Sequence, residues 1–159
     1  MKTITLRPAE PERDFLQLSA WFTSLEDEPT SESSLKEEYE KKRERIIQRV
    51  AEDELGEQLG FYWATHNKVE PDRMDFYLFV KPEQRGQGVG RRLYEDFVRA
   101  AEEAQAKSLR ISIWDTFLDD RAFAERRGFI EKRHHFAMAL DLDAFNDRPY
   151  DEIIARLKC

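Results

Sequence analysis

The sequence predicts an α/β fold built on a mixed sheet, mostly antiparallel, with one parallel strand pair and flanking helices. Three observations carry this. Two β-type runs, Ile46 to Glu52 and Gln58 to His66, flank a Leu55-Gly56-Glu57 turn and read as an antiparallel hairpin. Phe76-Tyr77-Leu78-Phe79-Val80, a glycine-rich loop, a helical pattern and Leu109 to Trp114 write strand, loop, helix, strand. A right-handed crossover of that kind sets its two strands parallel. Helical spacing before the hairpin supplies the flanking layer.

The elements follow in order. Thr3 to Arg7 alternates polar and apolar residues as a short strand does, and Pro8 ends it. From Pro11, Phe15, Leu18, Trp21, Phe22 and Leu25 fall at helical spacing, so their aromatic rings are expected in a core. Glu26-Asp27-Glu28-Pro29 breaks that helix. Ser31, Ser33 or Ser34 then caps a second helix running to about Arg45, whose Glu37/Lys41 and Glu38/Lys42 pairs suit a solvated face. The helix after the glycine loop, beginning near Arg91, carries an apolar stripe of Val89, Leu93, Phe97, Val98 and Ala101. Asp119 to Arg127 reads as a short helix stopped by Gly128, followed by a strand from Phe129 to Leu142 and a last helix within Phe145 to Lys158. His134 and His135 fall on opposite sides of that strand, and His66 at the end of its own; none has metal-ligand spacing.

Composition bounds the function. A chain of 159 residues suits one main domain, assigned to residues 1–142, with 143–159 as a linker and short helix. With 26 basic against 33 acidic residues and a net charge of -7, nucleic acid is not expected as a partner, whereas a cationic one suits the field. Cys159 is the single cysteine, so no disulfide framework is available and a reducing cytoplasm is the expected compartment. Neither a signal-peptide core nor a run of about 18 apolar residues is present, so no membrane partner is expected.

The glycine-rich loop is Arg85-Gly86-Gln87-Gly88-Val89-Gly90, after Pro82 and before Arg91 and Arg92. Glycines at alternate positions between a strand and a helix let backbone N–H groups converge at a helix N-terminus, where a phosphate is favoured. A P-loop would need Lys and Ser or Thr after the last glycine, and Arg91 and Arg92 stand there. A dinucleotide fingerprint would need Gly-x-Gly-x-x-Gly, and the spacing here is Gly-x-Gly-x-Gly. Arg85, Gly88 and Gly90 match the Arg/Gln-x-x-Gly-x-Gly/Ala pattern of the GNAT superfamily of acyl-CoA N-acyltransferases, which this stretch resembles. Leu6-Arg7-Pro8-Ala9, Leu59-Gly60-Phe61 and Ala122 to Phe129 resemble the same family's opening strand, its strand before the cofactor strand, and its closing signature.

The resemblance implies a sheet whose parallel strands splay, with acetyl-CoA as co-substrate and no metal. Leu78, Phe79 and Val80 would pair with pantetheine as an added strand does, and Arg85, Gly86, Gln87, Gly88, Val89, Gly90 and Arg91 would hold the pyrophosphate. It further implies direct attack by an amine in a ternary complex, with the segment between the first two helices lining the acceptor site. That segment makes Glu26, Asp27 and Glu28 candidate amine contacts. Asp75 and Tyr77 share a strand face with Phe79 and are the candidate catalytic residues. The position where many members carry a leaving-group Tyr is Ala124, and the usual Asn position falls at Phe117. A non-catalytic CoA-binding module therefore stands as the alternative to an acetyltransferase. Leu140 to Phe145 looks like the linker of tandem members, which makes a homodimer an expectation.

Overall fold

The computed structural model describes residues 3–26, 28–133 and 155–157. The strands are β1 Thr5–Arg7, β2 Ile46–Glu52, β3 Gln58–His66, β4 Arg73–Val80 and β5 Ser108–Arg110. The helices are α1 Pro11–Leu25, α2 Glu32–Lys42, α3 Val89–Glu103 and α4 Leu118–Arg126, with single 3-10 turns at Arg43–Arg45 and Pro82–Gln84. The chain groups into two compact units, Met1–Arg121 and Ala122–Cys159. Among the described residues, no helix is long and apolar enough to cross a membrane.

In the first unit the strands lie in the order β1-β2-β3-β4-β5. The β1/β2, β2/β3 and β3/β4 pairs are antiparallel and β4/β5 is parallel, which is the predicted mixed sheet. The hairpin register sets Val50 opposite Phe61, and a bulge at Ala51/Glu52 leads into the turn. There Asp53 accepts from the N–H groups of Leu55 and Glu57, both at 2.9 Å, and Gly56 takes φ +79°. Such a backbone needs glycine more than the neighbouring contacts do.

Each sheet face has its own helical cover. On one face Phe15, Leu18, Trp21 and Phe22 of α1, with Leu35 of α2, pack on Val50, Phe61, Trp63 and Phe79. Trp21 stacks on Phe79 with ring centroids 5.0 Å apart, and Phe22 meets Phe61, Trp63 and Tyr77 edge-on. On the other face Phe97 of α3 lies 4.4 Å from Phe76, and the fully buried Tyr62 hydroxyl donates to Asp96 Oδ2 at 2.7 Å. Burial first, and then that bond, push the Tyr62 phenol well above its ordinary value.

Several boundaries differ from expectation for identifiable reasons. The second helix is capped by Ser31, whose hydroxyl accepts from Ser34 N–H while Ser34 Oγ accepts from Ser31 N–H, and its last turn tightens into the 3-10 turn that aims Ile46 into β2. The helix expected near Arg91 begins at Val89, because Gly88 at φ +87° already serves as its cap. The strand expected over Leu109 to Trp114 is confined to Ser108–Arg110, since residues 111–114 leave the ladder. Residues 129–133 take no strand pairing among the described residues. The rest of that strand, His134, His135 and most of the final helix lie outside them, although 155–157 are helical.

A buried ion pair joins the opening strand to the first helix. Asp14, with no exposed surface, accepts from Arg7 Nη1 at 2.7 Å and Nη2 at 2.8 Å, from Glu10 N–H at 2.7 Å, and from the Gln58 amide. Arg7 Nε also reaches Glu52 Oε2 at 2.8 Å. Burial alone would push the Asp14 carboxyl up, but Arg7, Glu10 and Gln58 together hold it below its ordinary 3.8. Because the folded value is depressed, this stabilisation is present above the unfolded value and is lost as pH falls through the folded one. Asp14→Asn is therefore expected to cost about 3 kcal/mol at pH 7 in urea denaturation. The difference from wild type should shrink below the carboxylate range; a difference independent of pH would contradict the ion pair's role.

Candidate active site

The site grows from the place where the parallel ladder ends. β4 pairs with β3 through Gly60/Val80, but with β5 only through Arg73/Ser108, Met74/Leu109 and Asp75/Arg110. Beyond Asp75, the β4 edge that faced β5 has no ladder partner among the described residues. Backbone donors and acceptors on such an edge are a template for an added strand. Leu78, Phe79 and Val80 occupy this stretch. The β3/β4 approach behind it is tight, since a Cβ on Gly60 would lie 2.3 Å from the Phe79 carbonyl oxygen.

At the same end of β4 the chain enters the glycine loop. Gly86 and Gly88 adopt φ +76° and +87°, and an added Cβ at either would meet nothing within 4 Å. Handedness, not crowding, selects glycine here, and the space before the loop is open. The first helical bond runs from Arg92 N–H to the Gly88 carbonyl at 3.0 Å, and Gly88 supplies no side-chain cap. The N–H groups of Val89, Gly90 and Arg91 thus precede any intrahelical acceptor, and no acidic residue stands in this first turn. Arg85 donates to the Val80 carbonyl at 3.2 Å and lies 3.8 Å from Asp120, so it ties the loop to the end of β4. Arg91 is turned along its helix to Glu95 at 3.0 Å, and Gln87 donates to the Glu83 carbonyl at 3.4 Å.

A cavity of about 290 Å³ lies over the other half of β4. Its sheet side is formed by Trp63 and Thr65 of β3, Asp75 and Tyr77 of β4, and Arg110 and Ser112 at the departing end of β5. Its helical side is formed by Phe22 and Glu26 at the end of α1, Thr30, and Leu35 and Glu38 of α2. Register explains the sheet side: Trp63 stands opposite Tyr77, Thr65 opposite Asp75, and Asp75 beside Arg110, all on one face. The helical side is pinned at two points. Trp114 Nε1 donates to the Leu25 carbonyl at 3.0 Å, and Thr30 N–H donates to Thr23 Oγ1 at 3.0 Å.

The two candidate catalytic residues meet in this cavity under different electrostatic conditions. Asp75 Oδ1 accepts from Arg73 Nε at 2.9 Å, Oδ2 accepts from Asn67 Nδ2 at 2.9 Å, and Arg110 lies 3.4 Å away. Tyr77 is pushed well above its ordinary value by burial, then by its hydrogen bond with Glu26, with Glu38 and Asp75 adding to the shift. Its phenol therefore stays protonated near neutrality and acts as a donor, not a base. Of the acidic loop, Glu26 lines the cavity, Glu28 is exposed away from it, and Asp27 lies outside the described residues.

Sequence reasoning missed Thr65, Glu38, Arg110 and Ser112. Glu38 does form the solvated pair expected of it, with Lys42 at 3.0 Å, yet its position three residues after Leu35 turns it toward the cavity as well. Phe22 serves both as core and as cavity wall. Phe117 is a partly exposed residue before α4, and Ala124 lies within α4. Among the described residues, no group of three or more His, Cys, Asp or Glu is arranged to hold a metal ion.

Comparison with known proteins gives a consistent result. The family described as "Acetyltransferase (GNAT) domain" matches residues 43–131, from the end of α2 through the glycine loop to beyond α4. A phosphinothricin acetyltransferase from Sinorhizobium meliloti, solved in complex with AcCoA, is similar in fold with a TM-score of 0.69 at 20% identity, over 79% of this chain and 74% of its own. A ribosomal-protein-alanine N-acetyltransferase from Brucella melitensis gives 0.69 at 20% identity, over 81% and 86%. An N-acetyltransferase from Staphylococcus aureus Mu50 gives 0.69 at 18%, over 80% and 83%. No curated protein matches the sequence at a significant level.

The Gly60 contact makes a local prediction. Gly60→Ala is expected to lower stability by about 1–3 kcal/mol, because the new methyl group must displace the Phe79 carbonyl from its strand. Chemical denaturation measures this, and wild-type stability would show that β3 and β4 have room to separate.

Proposed function

The chain belongs to the GNAT acetyltransferase family, and from that premise we propose that it transfers the acetyl group of acetyl-CoA to an amine within a ternary complex. The observation that carries this reading is that the open β4 edge and the uncapped Gly88 helix start lie on one side of Tyr77, with the cavity on the other. The residues present fit the co-substrate: exposed N–H groups at a helix N-terminus with open space before them suit a pyrophosphate, and an unpaired strand edge suits an amide-bearing arm. When bound, acetyl-CoA supplies an acyl group activated as a thioester.

The chain's own residues then divide the work. Leu78 and Val80 hold the arm through backbone groups on the open edge, with Phe79 between them paired to β3, and the loop from Arg85 to Arg91 holds the pyrophosphate. We assign polarisation of the acyl carbonyl to a backbone N–H on the open β4 edge beside Phe79. An amine reaches the cavity as an ammonium and must lose a proton before it can attack. We assign the acceptance of that proton to a Glu26 carboxylate oxygen, since Asp75 already has both oxygens engaged by Arg73, Asn67 and Arg110. Tyr77 orients Glu26 by donating to it, and Asp75 orients Arg110. A CoA-binding module without turnover is the second reading, favoured by Ala124 where many members carry a Tyr.

Calorimetric titration with acetyl-CoA, followed by thiol release in the presence of amines, separates these readings. Binding with release supports the enzyme; binding without release supports the module; no binding removes both. Gly88→Glu is expected to abolish acetyl-CoA binding, whereas Gly88→Ala, which carries the same backbone penalty of about 1–2 kcal/mol, should retain it. Equal affinities would remove the loop assignment. Tyr77→Phe is expected to lower kcat about tenfold with the KM for acetyl-CoA unchanged, the scale of one hydrogen bond to a charged group. Wild-type turnover would return Tyr77 to the aromatic core.

A further inference from the structure

The charges around the cavity are unevenly matched. Asp75 is answered by Arg73 at 2.9 Å and Arg110 at 3.4 Å, and among the described residues Arg110 is the one cationic side chain in the lining. Glu26 and the neutral Tyr77 phenol line the cavity together, and Glu26 helps to raise that phenol. Among the described residues Glu38 is paired with Lys42 alone, and both side chains are nearly half exposed, at 46% for Lys42 and 44% for Glu38. Such exposed pairs hold their partners weakly and leave a carboxylate available to a ligand. Two carboxylates therefore face the cavity without a committed cation, one at the end of α1 and one on α2.

Between them stands an aromatic wall. Phe22, Trp63 and Tyr77 all line the space, Phe22 lying 5.7 Å from Trp63 and 5.1 Å from Tyr77, both edge-on. A volume of about 290 Å³ corresponds to roughly ten water molecules, which suits a compact acceptor. The elements that carry Glu26, Glu38 and Phe22 precede residue 43, where the family match begins.

We infer that the acceptor is a compact amine with a second cationic group and no anionic one, Glu26 facing the reacting amine and Glu38 the other cation. This rests on the acetyl-transfer reading above. An acceptor with a carboxylate or phosphate in place of the second cation would set that anion beside the Glu38 carboxylate, at a cost that Arg110, held by Asp75, does not offset.

Three probes of similar length test it: butylamine, 1,4-diaminobutane and 4-aminobutyrate, each assayed by thiol release from acetyl-CoA. The diamine is expected to exceed butylamine at least tenfold in kcat/KM, with 4-aminobutyrate the poorest. Equal rates for the diamine and butylamine, or a preference for 4-aminobutyrate, would overturn the inference. So would acetyl-CoA binding with no release to any of the three. Failure to bind acetyl-CoA would instead overturn the reading on which it rests. Glu38→Gln is expected to bring the ratio of diamine to butylamine kcat/KM toward one, and raised salt to lower it in the wild type. A ratio unchanged by Glu38→Gln would remove Glu38 from acceptor recognition.

Discussion

The parallel ladder between β4 and β5 stops at Asp75, and the architecture of the site follows from that break. Had pairing continued, the outward backbone groups of Leu78 and Val80, on either side of Phe79, would be consumed within the sheet. Because β3 holds β4 on its other side as far as Val80, the strand keeps its geometry while one edge stays open. A rigid strand with an unpaired edge is what an extended, amide-bearing ligand needs, since little of the protein must be ordered on binding.

The break also divides the surroundings of β4 into two chemical environments. Toward Val80 the features are backbone ones: an open edge, glycines with positive φ, and uncapped N–H groups at the start of α3. Toward Arg73 they are side-chain features: carboxylates, one guanidinium and a ring-lined wall. Backbone groups suit a ligand whose shape is constant, because they do not vary with the sequence. Side chains suit a variable one. The placement of Tyr77 between these regions, two residues from Phe79 on the same strand face, makes it the natural junction.

Precision at that junction depends on anchors some distance away. The Arg7–Asp14 pair fixes where α1 begins, and the Trp114 indole fixes where it ends by donating to the Leu25 carbonyl. Between the two, Trp21 and Phe22 pack on the sheet. Glu26 follows directly after this clamped helix, so its carboxylate inherits a position set by contacts on three strands. The same packing desolvates Tyr77 and raises its phenol further above its ordinary value.

Local sequence was sufficient for much of this protein. Helix α1 and strands β2 and β3 run over the residues that their periodicity indicated, and the glycine spacing located the turn from β4 into α3. Those features arise from side-chain alternation and backbone handedness, which neighbouring residues decide among themselves. The expectation of a long fifth strand failed because the end of a ladder depends on where two distant segments part, which neither encodes alone. Glu38 read as surface charge, and Arg110 and Ser112 as strand residues, until the fold brought them over Asp75 and Tyr77. Trp114 and Leu25, 89 positions apart, meet only in three dimensions. The sequence by itself determined the secondary elements and the glycine turn. Tertiary structure alone decided the cavity, its charge balance and the upward shift of the Tyr77 phenol, because each is set by burial and contacts between segments remote along the chain.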